Sequence, residues 1–203
     1  MTESFREQRR NLAKALMEVG AVRSNPFCLD FRTPEHPNKP GSLTPELVYL
    51  TASCIKHVVQ QLEFDALVSI PEAGKPFEKA LELLTGKPSI NLNLYEYGKT
   101  RCIAGLAVYV PGSIRKVLVM DDYIARGDFK QQAIEVLRSE SIEVTDVAVV
   151  VDCEQGGREA LAELGCTLHC VYTRSKLLLL QEELREQTKL QSRKKIRIHL
   201  AQS

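Results

Sequence analysis

The residues best suited to chemistry lie in one short segment, VLVMDDYIARGDF, from Val117 to Phe129. Four apolar residues lead directly into two adjacent aspartates, and such an apolar run is typical of a buried parallel strand. Open α/β sheets bind ligands in the crevice outside the carboxyl ends of their strands, where Asp121 and Asp122 are expected. Two carboxylates at that place are suited to bind sugar hydroxyls or a metal ion.

A turn containing Gly127 follows the aspartates and opens onto a predicted helix over residues 130–139. Free backbone N–H groups and the helix dipole favour an anion such as phosphate at a helix amino terminus. Carboxylates followed by an anion-binding turn therefore predict a sugar-phosphate site. The alternative is an ordinary strand-to-helix connection capped by acidic residues, although adjacent buried aspartates are costly without partners.

The segment resembles the phosphoribosyl-pyrophosphate motif of type I phosphoribosyltransferases, in which two acidic residues precede a small loop rich in Thr, Ser and Gly. From residue 11 to residue 180, the order of landmarks is similar to that of the orotate phosphoribosyltransferase family. The landmarks are NLAKALMEVGAV, FDALVSIPEAGKPFEKAL, YGKTRCIAG, the motif strand and VVVDCEQGGREALAELGCTLHCVYTRSKLL. Together they span about four-fifths of the chain. The resemblance implies an α/β fold with a mostly parallel sheet flanked by helices and a small N-terminal hood.

The resemblance also assigns roles to residues of this sequence. It implies that Asp121 and Asp122 hold the ribose, directly or through a hydrated metal ion, and that Mg²⁺ is the cofactor. It places the 5′-phosphate on the turn formed by Ala125, Arg126, Gly127 and Asp128. It places the pyrophosphate loop at Ala73, Gly74 and Lys75. Members of this family commonly form homodimers, so the resemblance implies a homodimer that acts in pyrimidine biosynthesis.

The chain departs from the family pattern within the phosphate loop and the catalytic loop. Ala125 and Arg126 replace the hydroxyl residues that begin the family's phosphate loop, and an acid, Asp128, follows the glycine. The stretch NLNLYEYG at residues 91–98 matches the mobile catalytic loop and lacks every expected cation. Lys99 and Arg101, just downstream, are the candidate replacements.

Two further departures affect the expected base-binding side of the site. Cys153 stands where the family has the basic residue that grips the orotate carboxylate. Asp30 stands where the family has a lysine near the amino terminus. Because the losses fall together in one ligand site, they predict weak or no orotate transfer by a protein that still binds a ribose phosphate.

Three functions are therefore kept open. The favoured one is ribose-phosphate binding, of phosphoribosyl pyrophosphate or a nucleotide, by a sensor or accessory subunit. The second is an active orotate phosphoribosyltransferase that forms orotidine monophosphate and pyrophosphate. Its replacement cations would be Lys75, Lys99, Arg101 and Arg126. The third is a protein- or RNA-binding module that uses the basic cluster at residues 193–197.

The composition is typical of a globular protein and gives no sign of nucleic-acid binding or of a membrane-spanning segment. The 203 residues carry a net charge of +1, which gives no global attraction for nucleic acid. No apolar run reaches transmembrane length. Six cysteines without framework spacing are expected to be reduced in a cytoplasmic protein. Cys166, His169 and Cys170 are predicted to be core or strand-edge residues rather than metal ligands, because no second pair completes four ligands.

Strands alternating with helices predict a mostly parallel sheet. Helices are expected over residues 5–19, 45–62, 77–84, 130–139 and 157–164, and strands over 66–70, 89–94, 117–120 and 147–151. Residues 95–112 are predicted to form a loop or hairpin. The expected organisation is an N-terminal helix and hood at 1–45, an α/β core at 46–180, and a C-terminal helix and basic tail at 181–203.

Overall fold

The computed structural model describes residues 3–24, 27–29, 43–71, 74–98, 100–107 and 110–201. Within these ranges the chain forms six helices and nine strands. The helices are α1 (Glu3–Glu18), α2 (Pro45–Val59), α3 (Lys75–Thr85), α4 (Asp128–Ser139), α5 (Gly157–Glu163) and α6 (Arg174–Ala201). The strands are β1 (Val22–Ser24), β2 (Phe27–Leu29), β3 (Ala66–Ser69), β4 (Ser89–Ile90), β5 (Leu92–Tyr97), β6 (Thr100–Leu106), β7 (Lys116–Ile124), β8 (Glu143–Asp152) and β9 (Thr167–Thr173).

Five strands form a parallel sheet in the order β4-β3-β7-β8-β9. After β3 the chain adds β4 on one side and later adds β7 on the other, so the strand order reverses between β3 and β7. A reversal of this kind opens a crevice at the carboxyl ends of the strands. The predicted α/β class, with a mostly parallel sheet flanked by helices, is confirmed.

Helices cover both faces of the sheet and bury two hydrophobic clusters. The first lies against α1, α2, α3 and α6 and includes Leu12, Ile55 and Phe77. The second lies against α4 and α5 and includes Ile134 and Leu161. Central parallel strands buried on both faces must be apolar along their length, which explains the VLVM run of β7 and the VAVVV run of β8.

Strand β7 is longer than its sequence predicted. The apolar run ends at Met120, but pairing with β8 continues through Tyr123 and Ile124. Asp121 and Asp122 therefore lie inside the strand, within its last four residues, rather than in the loop after it. The prediction of a strand ending at residue 120 was wrong because β8 supplies backbone partners to this polar stretch as well.

The predicted strand over residues 89–94 is in fact two strands that break at Asn91. Strand β4 joins the main sheet, whereas β5 leaves it and pairs antiparallel with β6 as a hairpin. The hairpin packs on α4, where the Ile103 backbone N–H donates to the Gln132 side-chain oxygen at 3.0 Å. Of the two alternatives predicted for residues 95–112, a loop or a hairpin, the structure shows a hairpin, whose strands are Leu92–Tyr97 and Thr100–Leu106.

The expected division of the chain can be compared with the structure at its C-terminal boundary but only in part at its N-terminal one. The boundary expected at residue 180 falls inside α6, where Leu177 and Leu184 are both buried. The expected N-terminal hood is described only in part, because residues 30–42, including Asp30, lie outside the described residues. Among the described residues, no helix is long and apolar enough to cross a membrane.

Candidate functional site

A cleft of about 420 Å³ opens at the carboxyl ends of β3 and β7, where the strand order reverses. Its walls are the residues after β3, the β5–β6 hairpin, the end of β7 and the start of α4. The lining residues are Ile70, Pro71, Leu94, Arg101, Asp121, Tyr123, Ala125, Arg126, Gly127, Asp128, Phe129 and Lys130. A larger depression of about 860 Å³ lies at the opposite edge, but parallel sheets bind ligands at the carboxyl edge.

Asp121 is held by a buried cation that its own chain supplies. The Lys130 ammonium, in the first turn of α4, pairs with Asp121 Oδ2 and donates to the Tyr123 carbonyl at 2.7 Å. The other oxygen, Asp121 Oδ1, accepts the Asp122 backbone N–H at 2.9 Å. Only 3% of Asp121 and 7% of Lys130 are exposed, so this ion pair is almost wholly removed from water.

Asp122 is buried as well but does not line the cleft. Its Oδ1 accepts the Tyr123 backbone N–H at 2.7 Å. Burial, reinforced by the neighbouring Asp121 carboxylate, raises the pKa of Asp122 well above its ordinary value. The two aspartates therefore differ: Asp121 is paired with a cation in the cleft wall, and Asp122 is buried outside the lining with a raised pKa.

The turn from Ala125 to Asp128 has the backbone geometry expected of an anion site. Gly127 precedes α4 with φ +94°, a conformation that L-residues rarely adopt. The first backbone N–H groups of α4 face outward from this point. Arg126 and Asp128 form an ion pair at 3.6 Å, with 80% and 63% of their side chains exposed. Such an exposed pair is weak and can open for a ligand.

The loop that was predicted to bind pyrophosphate, at residues 73–75, lies beside the cleft, and its described residues do not line it. Gly74 packs so closely on the sheet that a Cβ there would lie 2.9 Å from the Met120 carbonyl oxygen. The Lys75 ammonium donates to Asn91 Oδ1 at 3.1 Å, away from the cleft. Ala73 lies outside the described residues, as does Lys99. Of the pyrophosphate loop, the structure thus places Gly74 and Lys75 beside the cleft and not in its lining.

Each cationic side chain of the cleft lining is paired with a carboxylate of the same chain. Arg101, across the hairpin from Glu96, forms an ion pair with it. Arg126 pairs with Asp128, and Lys130 pairs with Asp121. The cleft therefore contains positive charge, and each cation has a carboxylate beside it, in a buried pair for Lys130 and in exposed pairs for Arg101 and Arg126.

The carboxylate at the end of β8, that of Asp152, also has its partners within the chain. Asp152 is bound by two nitrogens of Arg158, at 3.1 and 3.0 Å, and accepts the Glu154 backbone N–H at 2.9 Å. Burial first, and then the nearby Asp152 carboxylate, raises the pKa of the Cys153 thiol to about 11. Cys153 is consequently a neutral group where the family resemblance led us to expect a cation.

The three residues that suggested a metal have separate partners. Cys166 contacts the Val144 carbonyl, and His169 Nε2 lies 2.7 Å from Asp146 Oδ1. Cys170 contacts the Arg158 guanidinium. Cys166 is buried directly before β9, and His169 and Cys170 lie within this edge strand, in agreement with the predicted core or strand-edge placement.

Sequence reasoning missed Lys130, although a signal was present. The buried stripe of α4 is formed by residues 130, 133, 134 and 137, so Lys130 stands at a helical spacing where the other members are Ala, Ile and Leu. A lysine on an apolar stripe requires a buried partner, and a lysine in a first turn opposes the helix dipole. Both facts indicate a nearby carboxylate, and Asp121 is that carboxylate.

The acidic pair does not fit the Mg²⁺ that the family resemblance implies. Mg²⁺ requires a near-octahedral set of oxygen ligands and usually retains several waters. Here one oxygen of Asp121 is bound to an ammonium and the other to a backbone N–H. Among the residues that the structure describes, no three His, Cys, Asp or Glu side chains converge on a metal position.

Comparison with known proteins gives relatives of one kind. No protein-family model matches the chain. The chain is similar to the orotate phosphoribosyltransferase of Methanopyrus kandleri, with 32% identity over 177 residues that span 81% of this chain and 89% of that protein. It is 29% identical over 178 residues to the orotate phosphoribosyltransferase of Caenorhabditis elegans, covering 78% and 77% of the two chains.

Solved structures show the same likeness in three dimensions. The orotate phosphoribosyltransferase of Aeropyrum pernix aligns with a TM-score of 0.66 and 25% identity, over 85% of this chain and 98% of that one. The UMP synthase of Leishmania donovani aligns with a TM-score of 0.66 and 26% identity, over 87% of this chain and 38% of that one.

Proposed function

The chain belongs to the orotate phosphoribosyltransferase family, and on that premise we propose that its cleft binds a ribose phosphate with weak or no orotate transfer. The ligand is phosphoribosyl pyrophosphate or a nucleotide, and the protein serves pyrimidine metabolism as a sensor or accessory subunit. One observation supports this most: among the residues that the structure describes, every cation of the cleft lining is paired with a carboxylate of the same chain.

The 5′-phosphate would bind at the turn from Ala125 to Asp128. Gly127 leaves the backbone open to a close approach, and the amino terminus of α4 supplies N–H donors and a favourable dipole. Arg126 can leave Asp128 and turn to the phosphate, since an exposed ion pair is worth at most about 1 kcal/mol. Arg126 thereby supplies a donor in place of the lost hydroxyl, while Asp128 limits the affinity by repulsion.

The ribose would lie over the wall formed by Asp121 and Lys130. Both side chains line the cleft, and β7 runs directly into the turn from Ala125 to Asp128. One sugar ring would therefore contact this wall while its 5′-phosphate lies at the turn. Asp121 accepts hydrogen bonds from hydroxyls, and Lys130 donates one. Asp122 lies beneath and stiffens the backbone of this wall through its bond to the Tyr123 N–H.

Transfer requires more than binding. When the glycosidic bond breaks, charge develops on the ribose and on the pyrophosphate, and preorganised cations or donors must stabilise it. Residues 91–97 contain no Lys, Arg or His, and Cys153 is a neutral thiol. Each loss of about 1.4 kcal/mol in transition-state stabilisation slows a reaction about tenfold. The loss of several donors would therefore reduce turnover by orders of magnitude.

Calorimetric titration tests the binding claim. We expect heat of binding with phosphoribosyl pyrophosphate that fits one ligand per chain. The titration is repeated with and without MgCl₂, because the family resemblance implies that ion. The variant Arg126→Glu should weaken binding about tenfold or more, since it replaces a charged hydrogen-bond donor by an acid facing a phosphate dianion.

The matched control for this titration is Arg185→Glu, the same charge reversal at an exposed position of α6 remote from the cleft. It should leave the affinity unchanged. No heat with phosphoribosyl pyrophosphate, ribose 5-phosphate or nucleotides would refute the ligand. Equal weakening by both variants would show that the charge of the whole protein, and not the turn, governs binding.

A working orotate phosphoribosyltransferase is the second candidate, and one observation favours it. The ion pairs of Arg101 and Arg126 are exposed, so both guanidinium groups can be redirected to a pyrophosphate at small cost. A steady-state assay with orotate and phosphoribosyl pyrophosphate separates the candidates. Orotate consumption that Arg101→Gln abolishes would establish this second function in place of the first.

We extend the proposal to a homodimer, as the family resemblance implies. The hairpin exposes Tyr95 and Tyr97 on the face opposite the cleft, with 56% and 76% of each residue accessible. Exposed neighbouring aromatic residues are typical of protein interfaces. Sedimentation equilibrium should give twice the chain mass from low micromolar concentrations upward, and a monomer throughout that range would contradict the dimer.

A further inference from the structure

We propose that the Lys130 ammonium takes the place of a divalent cation on Asp121, the member of the acidic pair that lines the cleft. The cleft would then hold the ribose of a sugar phosphate without a metal ion on these carboxylates. This inference rests on the proposed ribose-phosphate function, and it assigns to Lys130 a role that the sequence resemblance does not. It concerns the acidic pair alone and not any metal ion that a pyrophosphate group carries with it.

The geometry of Lys130 resembles that of a bound cation more than that of a surface lysine. Its ammonium contacts two oxygens, Asp121 Oδ2 and the Tyr123 carbonyl, and lies 5.9 Å from the centre of the Tyr123 ring. Carboxylate and carbonyl oxygens are also the ligands that Mg²⁺ and Ca²⁺ select. The side chain is 9% exposed and reaches this place from the first turn of α4.

The ammonium and a divalent ion cannot share this position. A metal ion bound to Asp121 Oδ2 would lie within a few ångströms of a buried positive charge, in surroundings that screen poorly. If a metal ion displaced the Lys130 ammonium from Asp121, that ammonium would remain at a buried position without a carboxylate partner. The chain therefore carries its counter-charge permanently, where a metal-dependent site would acquire it with each ligand.

The remaining donor of Lys130 defines the ligand chemistry. An ammonium has three N–H groups, and two have partners in Asp121 and Tyr123. Because Lys130 lines the cleft, the third is available to a ribose hydroxyl, and Asp121 can accept from the neighbouring hydroxyl. The site thus suits a ribose that presents two adjacent hydroxyls and a 5′-phosphate at the Gly127 turn.

Titration of the wild-type chain with ribose 5-phosphate is the first arm of the test, because this ligand has no pyrophosphate to carry magnesium. We expect the same dissociation constant, within about twofold, in EDTA and in excess MgCl₂. An absolute requirement for Mg²⁺ would overturn the inference. In the same assay, 2-deoxyribose 5-phosphate should bind more weakly, by about tenfold, if Lys130 and Asp121 read the two hydroxyls.

Direct metal binding is the second arm and does not depend on any sugar ligand. Mn²⁺ is followed by its electron paramagnetic resonance signal in the wild-type chain, in Asp121→Asn, in Lys130→Met and in the double variant Lys130→Met with Asp121→Asn. We expect a Mn²⁺ site only in Lys130→Met, because only there is the Asp121 carboxylate present without its paired ammonium. Circular dichroism establishes that each variant is folded before its metal binding is scored.

The outcomes separate this inference from the proposed function. If ribose 5-phosphate does not bind under any condition, the proposed function fails, and the Mn²⁺ arm still decides the inference. Mn²⁺ bound by the wild-type chain and lost in Asp121→Asn would overturn the inference, as would a folded Lys130→Met without a Mn²⁺ site. If Lys130→Met does not fold, the comparison of EDTA with MgCl₂ and the wild-type Mn²⁺ signal remain decisive.

Discussion

Asp121 and Lys130 are both buried, and either charge alone would be costly to remove from water. Together they neutralise each other, and two backbone groups complete their hydrogen bonding. On the proposed function, the arrangement that stabilises the wall of the cleft would also withhold its positive charge from a leaving pyrophosphate. Stability and reduced reactivity would then have the same physical cause at the scale of single residues.

A double-mutant cycle measures this pair. Asp121→Ala should lower the free energy of unfolding by about 3–5 kcal/mol, because it leaves the Lys130 ammonium buried without a partner. Lys130→Met should cost less, since Asp121 retains its backbone donor. The double variant should lose clearly less than the sum of the two, as measured by urea denaturation. Strict additivity would show that the two side chains do not interact in solution.

Asp122 makes stability depend on pH in a direction that can be worked out. Its pKa is raised in the folded chain above the ordinary value of 3.8, so the folded state binds a proton more tightly than the unfolded state. The resulting stabilisation is present below the ordinary value and is lost as the pH rises through the raised one. Asp122→Asn, which keeps the neutral form, should therefore gain stability relative to wild type as the pH rises from the ordinary pKa of 3.8 through the raised one. A difference that is constant or falls over this range would contradict the burial argument.

The residue types of the site could be predicted from sequence, but their pairing could not. The two aspartates, Gly127 and the neighbouring Arg126 were identified because carboxylates and glycine next to an apolar run have a local signature. The Asp121–Lys130 pair joins a strand to a helix across nine residues, and its existence depends on how α4 docks on the sheet. Only the lysine on the apolar stripe of α4 indicated it in advance.

At the scale of elements, the turn from Ala125 to Asp128, the proposed phosphate site, is held by the packing of α5 against the end of β7. A Cβ on Gly157, the first residue of α5, would lie 2.5 Å from the Ala125 carbonyl oxygen and 2.6 Å from Ile124 Cγ1. The Cys153 backbone N–H also donates to the Ile124 carbonyl at 2.8 Å. The β8–α5 loop thus fixes the position of a turn that lies about 30 residues earlier in the chain.

Gly157→Ala should displace this turn. Because the added methyl group meets backbone and a buried side chain, we expect a loss of about 1–3 kcal/mol in unfolding free energy. Binding of ribose 5-phosphate should weaken as well, since the 125–128 backbone shifts. Gly112→Ala is the matched control, because a Cβ there meets nothing within 4 Å. Equal stability and affinity of the two variants would contradict the proposed support of the turn.

Strands were easier to predict than their ends. The apolar runs of β3, β7 and β8 were identified because a strand buried on both faces must be apolar. The continuation of β7 through two aspartates was missed because backbone pairing with β8 does not depend on side-chain polarity. For the segment that forms β5 and β6, the sequence left open whether it is a loop or a hairpin. Its strands are polar and exposed, so their hydrophobic periodicity is weak.

At the scale of the whole molecule, the reversal of strand order between β3 and β7 decides where the cleft lies. The chain crosses both faces of the sheet before α6 returns to pack on α1 and β9. There Leu177 and Leu184 are buried, and Gln181 Nε2 donates to the Ala13 carbonyl at 3.2 Å. The side chains of residues 185–193 are exposed, so α6 stabilises the molecule through its first three turns.

Truncation of α6 separates its two parts. Removal of residues 191–203 should change the unfolding free energy by less than about 0.5 kcal/mol, because the side chains of residues 185–193 are already exposed. Removal of everything after residue 176 deletes two buried leucines and should cost several kcal/mol. Thermal unfolding followed by circular dichroism measures both. A large loss in the shorter truncation would indicate a structural or partner-binding role for the basic end.

Phosphorus-31 magnetic resonance of phosphoribosyl pyrophosphate with an equimolar amount of the chain tests the central claim most directly, because one spectrum reports binding and transfer together. The 5′-phosphate signal should shift when the chain is added, and addition of orotate should produce at most a trace of free pyrophosphate. An unchanged 5′-phosphate signal would contradict the ribose-phosphate site. Pyrophosphate accumulating over many turnovers, and abolished by Arg101→Gln, would instead identify an active orotate phosphoribosyltransferase.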